Sequence, residues 1–400
     1  MDVVSDTIKK ITLANGKTRY RFVVDIGTDP QTGRRKQLTV TKDTKKEAVR
    51  ELAKIRHQTA TGEYIAVDKT TVGEWLDVWY TQATKEVEEA TKVTYRNGTR
   101  IAREYLGHIR LQALTEEDVD NMITYMVISG RKRGGKPGSG LGLRSVEVAR
   151  YCLRAALGLA VRRRVVVRNV AEYTKIPKAV RDAAKKAQAE RVSKVWGAPE
   201  IRTFLAHVST NRFHAVLLLS LLGLRPEEVC GLRWTDADLS GKGSLSIVNA
   251  RTMVEHRVIE KPTKSDAGTR ALPLPAVALS ALKALKAVQA REKLALGEAY
   301  SSSGYVAVDE AGKPLTVETL RRHTYKMMDA AGVRRVRLYD ARHACLGWMA
   351  NHGVPDTVVS AWAGHADLGF TKRHYVHSDP ESLRVAADRL DDGLLGRAEA

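Results

Sequence analysis

The chain has 400 residues, 43% of them hydrophobic, more than the roughly 100–200 of one domain, so two or three domains with cores of their own are expected. A formal charge of +20 and a pI near 9.8 point to a polyanionic partner, most often nucleic acid. No apolar run approaches the roughly 20 residues of a membrane span, and MDVVSDTIKK lacks a signal-peptide core. Cys152, Cys230 and Cys345 have neither zinc nor disulfide-framework spacing, so the expectation is a cytoplasmic protein without a metal.

The first 60 or so residues read as a small β-rich domain ending in a helix. In KTRYRFVVDI, Tyr20, Phe22 and Val24 fall on one face and Arg19, Arg21 and Val23 on the other, the alternation of a half-buried strand. GTDPQTG then turns the chain into RRKQLTVT, which predicts a hairpin, and Thr44 is placed to cap the helix KKEAVRELAKI. The arginine-bearing face, with Arg34, Arg35 and Lys36 next door, is either a solvated surface or a DNA-reading one.

From about 68 to 175 the period is helical. Val72, Trp75, Leu76 and Trp79 make a core stripe. GRKRGGKPGSGLG (130–142) breaks the pattern as a mobile loop or a clamp on backbone phosphates. A further helix follows, with Val146, Ala149, Leu153, Ala156 and Leu157 inward and Arg144, Arg150 and Arg154 outward. Residues 176–194 are polar and basic and read as an interdomain linker with some helix. The remainder is a mixed α/β domain. No repeat at solenoid periods is evident.

Three stretches of that last domain carry chemistry. In FHAVLLLSLLGLRPEEVCGLRW (213–234) a helix ends at Gly223 and the next starts with Pro226, a residue suited to the first helical position. Arg225 therefore sits at a helix N-terminus, where an anion is already favoured, and Glu228 can fold back onto its guanidinium. SLSIVNARTMVEHRVIEKPTKSDAGTRALPLP (244–275) reads as two or three strands with a tight turn at 265–268. Lys264 at its lip is either a solvated hairpin lysine or an amine reaching into a cleft. In RLYDARHACLGWMANHG (337–353), Asp340 reads as an N-cap, Arg342 falls in the first turn, and Ala344 and Trp348 mark the buried stripe. PDTVVSAWAG then ends on Gly364 with His365 next, and ten residues later TKRHYVHS sets Tyr375 among cations. A tyrosine hydroxyl, with a free pKa near 10, is a poor nucleophile unless activated.

This series, R-P-x-E, TKS in a hairpin, D-x-R-H, G-H and a terminal tyrosine, resembles the tyrosine recombinase (phage integrase) family over essentially the whole chain. The resemblance implies a multidomain α+β fold. Residues 1–62 would be a three-stranded sheet plus helix binding arm-type DNA sites, and 68–175 a helical core-DNA-binding domain. Residues 176–194 would be a linker, and 195–400 a mixed, mainly α catalytic domain with a small β-sheet and a C-terminal tail. It implies that Arg225 and Arg342 grip the scissile phosphate and that Tyr375 attacks phosphorus, leaving a 3′-phosphotyrosyl link. Lys264 would protonate the leaving 5′ oxygen, His365 would orient the phosphate, and Glu228 and His343 would be supporting residues. Arg19, Arg21, Arg34, Arg35, Lys36, Arg144 and Arg150 are the candidate DNA contacts. No cofactor is implied, because the phosphodiester energy is stored in the tyrosyl link. The implied partners are double-stranded DNA with core and arm-type sites and a homotetramer on it, in the cytoplasm or nucleoid of a bacterial host. A host DNA-bending protein and an excision factor are accessories of the same scheme.

One position departs from the family. Its usual histidine three residues before the second arginine is here Tyr339, a hydrogen-bond donor but a poor base near neutrality. Competing readings are a catalytically impaired DNA-binding protein of the same fold and a type IB topoisomerase-like enzyme. The arm-like N-terminal domain argues against the latter.

Overall fold

The computed structural model describes residues 8–14, 16–28, 34–61, 64–132, 135–192, 195–255, 257–263 and 266–375. Of these, the side chains of residues 28, 188, 189, 191, 192, 266, 370 and 373–375 lie outside the description. The chain divides into two compact units, 1–184 and 185–400.

In the first unit, β1 (Ile8–Thr12), β2 (Thr18–Thr28) and β3 (Arg35–Lys42) form an antiparallel sheet in chain order. The strand alternation holds: Phe22 and Val24 are buried while Arg21 and Val23 face solvent. The inward side chains pack on Ala48, Leu52 and Ile55 of α1 (Lys45–Ala60). Thr44 starts α1 with a capping box: its hydroxyl accepts from the Glu47 N–H and the Glu47 carboxylate accepts from the Thr44 N–H, both at 3.2 Å.

A second, separate core belongs to α2 (Val72–Ala83), α3 (Glu89–Leu106), α4 (Glu116–Ile128) and α5 (Leu143–Arg162). Trp75, Leu76 and Trp79 of α2 lie inside it, and the Trp75 indole donates to the Ala156 carbonyl at 2.8 Å, the partner a buried indole needs. The α3–α5 approach depends on Gly98, where a Cβ would stand 2.7 Å from Cys152 Sγ. The glycine-rich segment after α4 is tied by its own backbone: Arg131 N donates to Ser139 O at 2.8 Å and Gly138 N to Arg131 O at 2.9 Å. The stretch expected as a linker forms α6 (Lys178–Val192).

The second unit surrounds α8 (His214–Leu221), whose residues Ala215–Ser220 are buried on every side. It follows α7 (Ala198–Val208) and precedes α9 (Pro226–Gly231). Next come β4 (Ala237–Asp238), β5 (Ser244–Ile247), β6 (Asn249–Val254), β7 (Arg257–Pro262) and β8 (Arg270–Pro273). The region read as two or three strands thus holds four, split between a β4–β5–β8 sheet and a β6–β7 hairpin. The split falls where β5 gives way to β6 after Val248. Helices α10 (Ala276–Leu296), α11 (Val317–Ala330), α12 (Leu338–Asn351), α13 (Asp356–Ala363) and α14 (Leu368–Tyr375) complete the unit.

Helix α12 differs from its sequence reading in three ways. Its N-cap is Arg337; Asp340 sits three residues on and caps from inside the helix, accepting from Arg337 N at 2.9 Å. Arg342 accordingly lies in the second turn. The inward stripe is Leu338, Ala341, Arg342 and Leu346, and Trp348 is 57% exposed. A buried arginine occupies the face that an apolar count assigns to Ala344 and Trp348, which turns that stripe outward.

Candidate active site

Gly223 ends α8 with φ +90° and Pro226 opens α9, so the chain between them must present Arg225 at the N-cap of a new helix. Glu228, one turn on, is 2% exposed. Its Oε2 accepts from Arg225 N at 2.9 Å and its Oε1 from Arg225 Nη1 at 2.5 Å. Arg225 Nη2 reaches across to donate to Gly364 O at 3.2 Å, leaving its side chain 29% exposed. A second guanidinium meets the same carboxylate: Arg270 Nη2 donates to Glu228 Oε2 at 2.9 Å and Nη1 to Oε1 at 3.1 Å. Burial alone would push the Glu228 carboxyl up, but the hydrogen bonds and charge of Arg270, then the charge of Arg225, hold it below the ordinary carboxylate value.

Arg342 comes to the same place from α12. It is fully enclosed, 0% exposed. Nη1 donates to Gly223 O at 2.6 Å, Nη2 donates to Ala363 O, and Nη2 lies 3.1 Å from His365 Nε2. The carbonyls of Ala363 and Gly364, consecutive in the chain, therefore receive one guanidinium each, and the next residue supplies the imidazole. Gly364 permits this by closing α13 in the left-handed region, φ +64°. His365 Nδ1 is 2.8 Å from Thr371 Oγ1, a buried hydroxyl of α14, so the second ring nitrogen fixes the imidazole's orientation. Such a group can hold an anion on fixed donors and stabilise charge that builds on it.

The other expected residues are placed less uniformly. Tyr375 forms the last residue of α14, four positions after Thr371, and its side chain lies outside the description. Lys264 is among the residues not described. Tyr339 is half-buried in the first turn of α12, its ring edge-on to His343 at 5.1 Å between centroids. Among the described contacts neither ring meets Arg225, Arg342 or His365. His343 lines an apolar groove of about 730 Å³ with Trp196, Ile201, Leu222, Trp348 and Trp362.

The candidate DNA contacts in the first unit are mostly exposed. Arg21 Nε donates to Thr41 Oγ1 at 3.3 Å, Arg19 pairs with Asp43 at 2.9 Å, and Arg35 pairs with Asp25. Arg34 and Lys36 are exposed, as is Arg144, whose nearest carboxylate is Glu147 at 3.7 Å. Arg150 is half-buried and bonds Thr174 Oγ1 at 3.3 Å and Glu172 O at 3.4 Å.

Arg270 and Thr371 were missed from the sequence. Arg270 had a signal: it stands two residues before buried Leu272 in a short strand, on its inward face. An arginine there needs a buried anion. Thr371 had none, since only the return of α14 to His365 gives its hydroxyl a role. Burial pushes the thiols of Cys152 and Cys230 up to about 12 and that of Cys345 up to about 11.

Residues 178–382 match the phage integrase family. Similar proteins along nearly the full length include a tyrosine recombinase XerC-like protein of Caldanaerobacter subterraneus subsp. tengcongensis, 24% identical over 94% of this chain and 97% of that one. An integrase of Streptomyces ambofaciens is 26% identical over 96% and 95%. Among solved structures, the Tn1549 transposon integrase in complex with transposon right end DNA superposes with a TM-score of 0.65 at 16% identity, covering 80% of this chain and 99% of that one. A lambda integrase tetramer bound to a Holliday junction superposes with a TM-score of 0.52 at 16% identity, covering 95% and 98%. The fold is that of the tyrosine recombinases. The chain belongs to the phage integrase family, and it is a DNA strand transferase of that class.

Proposed function

We propose that Arg225, Arg342 and His365 form the seat of the scissile phosphate and that Tyr375 is the nucleophile. The observation that carries this is the convergence of two guanidiniums and one imidazole on the consecutive residues 363–365. In this reading Tyr375 Oη gives its proton to water and attacks phosphorus, the P–O5′ bond breaks, and the 3′ phosphate remains on the tyrosine. Lys264 gives its proton to the leaving 5′ oxygen. Arg225, the partly exposed guanidinium, meets the phosphate directly. Arg342 serves as an enclosed positive charge behind it and orients His365. Tyr339 contributes position at most, since a phenol is a poor base near neutrality. Attack of a free 5′ hydroxyl on the tyrosyl phosphate restores the diester without a nucleotide cofactor.

The substrate on this reading is double-stranded DNA of a phage or other mobile element, integrated and excised at attachment sites. Residues 1–62 bind arm-type sites, 68–175 bind the core site, 176–194 link, and 195–400 cut and rejoin; the separate cores of the sheet–helix domain and the four-helix domain support that division. Assembly as a tetramer on DNA is proposed by likeness to the lambda integrase tetramer, together with a host bending protein and an excision factor. No described helix is long and apolar enough to cross a membrane, and the site of action proposed is the bacterial cytoplasm.

The test is a nicked duplex carrying DNA that flanks the gene, which on cleavage releases the short fragment bearing the new 5′ hydroxyl and so traps the intermediate. The wild-type chain should form a covalent protein–DNA adduct and Tyr375→Phe none. An adduct that survives Tyr375→Phe, or a wild type that forms none, refutes the assignment.

A further inference from the structure

The carboxylate of Glu228 has one cation more than it needs. Arg270 is 7% exposed, and its guanidinium joins three parts of the chain. It takes both oxygens of Glu228 at 2.9 and 3.1 Å, its own turn through Gly268 O at 3.0 Å, and the end of α13 through Trp362 O at 2.8 Å. Two of these parts adjoin a proposed active-site group, Arg225 at the head of α9 and His365 after α13. The fit under α13 is close. A Cβ at Gly364 would stand 2.9 Å from Arg270 Nη1 and 2.9 Å from Ala267 O.

A buried arginine with a buried carboxylate could be no more than a structural ion pair. The charge count says otherwise. Glu228 with Arg225 alone would be a neutral pair, leaving the enclosed Arg342 to supply the charge of the seat. With Arg270 forked onto both oxygens, the cluster carries two positive charges on one negative. Arg270 is the enclosed member, so the surplus charge appears at Arg225, the member that solvent reaches. The same fork leaves Arg225 only an end-on contact with Oε1, and its other amino group turns to Gly364.

We propose that Arg270 is a positioning residue for strand transfer: by occupying Glu228 it directs Arg225 outward with an unneutralised charge and locks the turn that carries His365. This rests on the phosphate seat proposed above.

The experiment uses the full chain and the nicked flanking duplex in two forms. One has a normal scissile phosphodiester; the other has a methylphosphonate, in which a methyl group replaces one charged oxygen. Single-turnover cleavage is read for wild type, Arg225→Ala, Arg270→Gln and Arg270→Lys, with thermal melts to establish folding. On the phosphodiester, Arg270→Gln should lose about 100-fold, as for removal of one transition-state donor. Arg270→Lys, which keeps the charge without the fork, should lose about 10-fold by the same scale. On the methylphosphonate both deficits, like that of Arg225→Ala, should shrink to a few-fold, because less charge builds for Arg225 to meet. Equal slowing of both substrates by whichever Arg270 variants fold, or wild-type rates throughout, overturns the inference. A wild type that cleaves neither substrate refutes the phosphate seat itself and the inference with it.

Discussion

The N-terminal sheet and the α9–α12–α13 cluster are both rich in arginine, and they use it in opposite ways. On the sheet, Arg21 and Arg35 stand in solvent with single polar partners, where an ion pair is screened and contributes little. In the cluster, Arg342 is enclosed and Arg270 nearly so, each fixed by several acceptors from distant parts of the chain. Burying a guanidinium is costly unless its contacts are arranged in advance, so the second group is held in one place, as the proposed phosphate seat requires. The first can follow a polyanion of any local shape. With the phosphate seat proposed above, one protein would combine a diffuse cationic surface with a fixed anion site, which suits a DNA strand transferase that must find a duplex and then act on one of its phosphates.

The sharpest way to break the contrast is to remove the shared carboxylate. Glu228→Ala would leave the enclosed Arg270 without its carboxylate and facing Arg225, and loss of one partner from a buried pair costs about 3–5 kcal/mol. Denaturant unfolding should show that loss, whereas Asp25→Asn on the sheet should leave the midpoint in place. Next comes Arg225→Ala, which removes a partly exposed donor. Stability should change little, while adduct formation should fall about 10²–10³-fold, the usual effect of deleting one donor to developing charge. Equal losses of stability for Glu228→Ala and Arg225→Ala would mean that the cluster is a structural pair and not a triad with a surplus charge.

Acid should act on the cluster as well. The folded Glu228 carboxyl, first opposed by burial and then held down by Arg270 and Arg225, titrates below its ordinary value of 4.5. The Asp340 carboxyl, likewise opposed by burial and held down by Arg337, titrates below 3.8. A depressed folded value means stability that is complete above the unfolded value and lost as pH falls through the folded one. Urea melts should therefore hold steady down to about pH 4.5 and weaken below it, and Glu228→Gln should flatten part of that limb. A Glu228→Gln chain with the full acid limb would place the linkage elsewhere.

Much of this was legible beforehand because it rests on local rules. Thr44 before KKEAVRELAKI spells a helix cap, Arg225-Pro226 spells a helix start, and the Phe22–Val24 alternation spells a half-buried strand. What failed was whatever depended on another part of the chain. The α12 stripe was misplaced because a periodicity count treats arginine as outward, whereas Arg342 is satisfied inside by carbonyls of residues 223 and 363. Arg270 was overlooked for the same reason: its anion lies 42 positions earlier.

The smallest expected effect falls on the sheet. Lys9 and Arg21 are directly opposite one another in the β1–β2 register, with Arg19 on the same face. Like charges directly opposed on a sheet repel, so in the absence of an anion this face costs the fold some stability. Arg19 has Asp43 at 2.9 Å to offset its charge, whereas Arg21 meets the neutral Thr41 hydroxyl at 3.3 Å. Arg21→Ala should then leave the sheet as stable as before, or slightly more so, while reducing the salt dependence of duplex binding by about one counterion. Arg19→Ala should do less on both counts, because its charge is already partly spent on Asp43. The measurement is the slope of log K against log salt for a duplex from the flanking DNA. Unchanged slopes for both variants would remove this face from the DNA-binding surface and leave it a solvated edge of the fold.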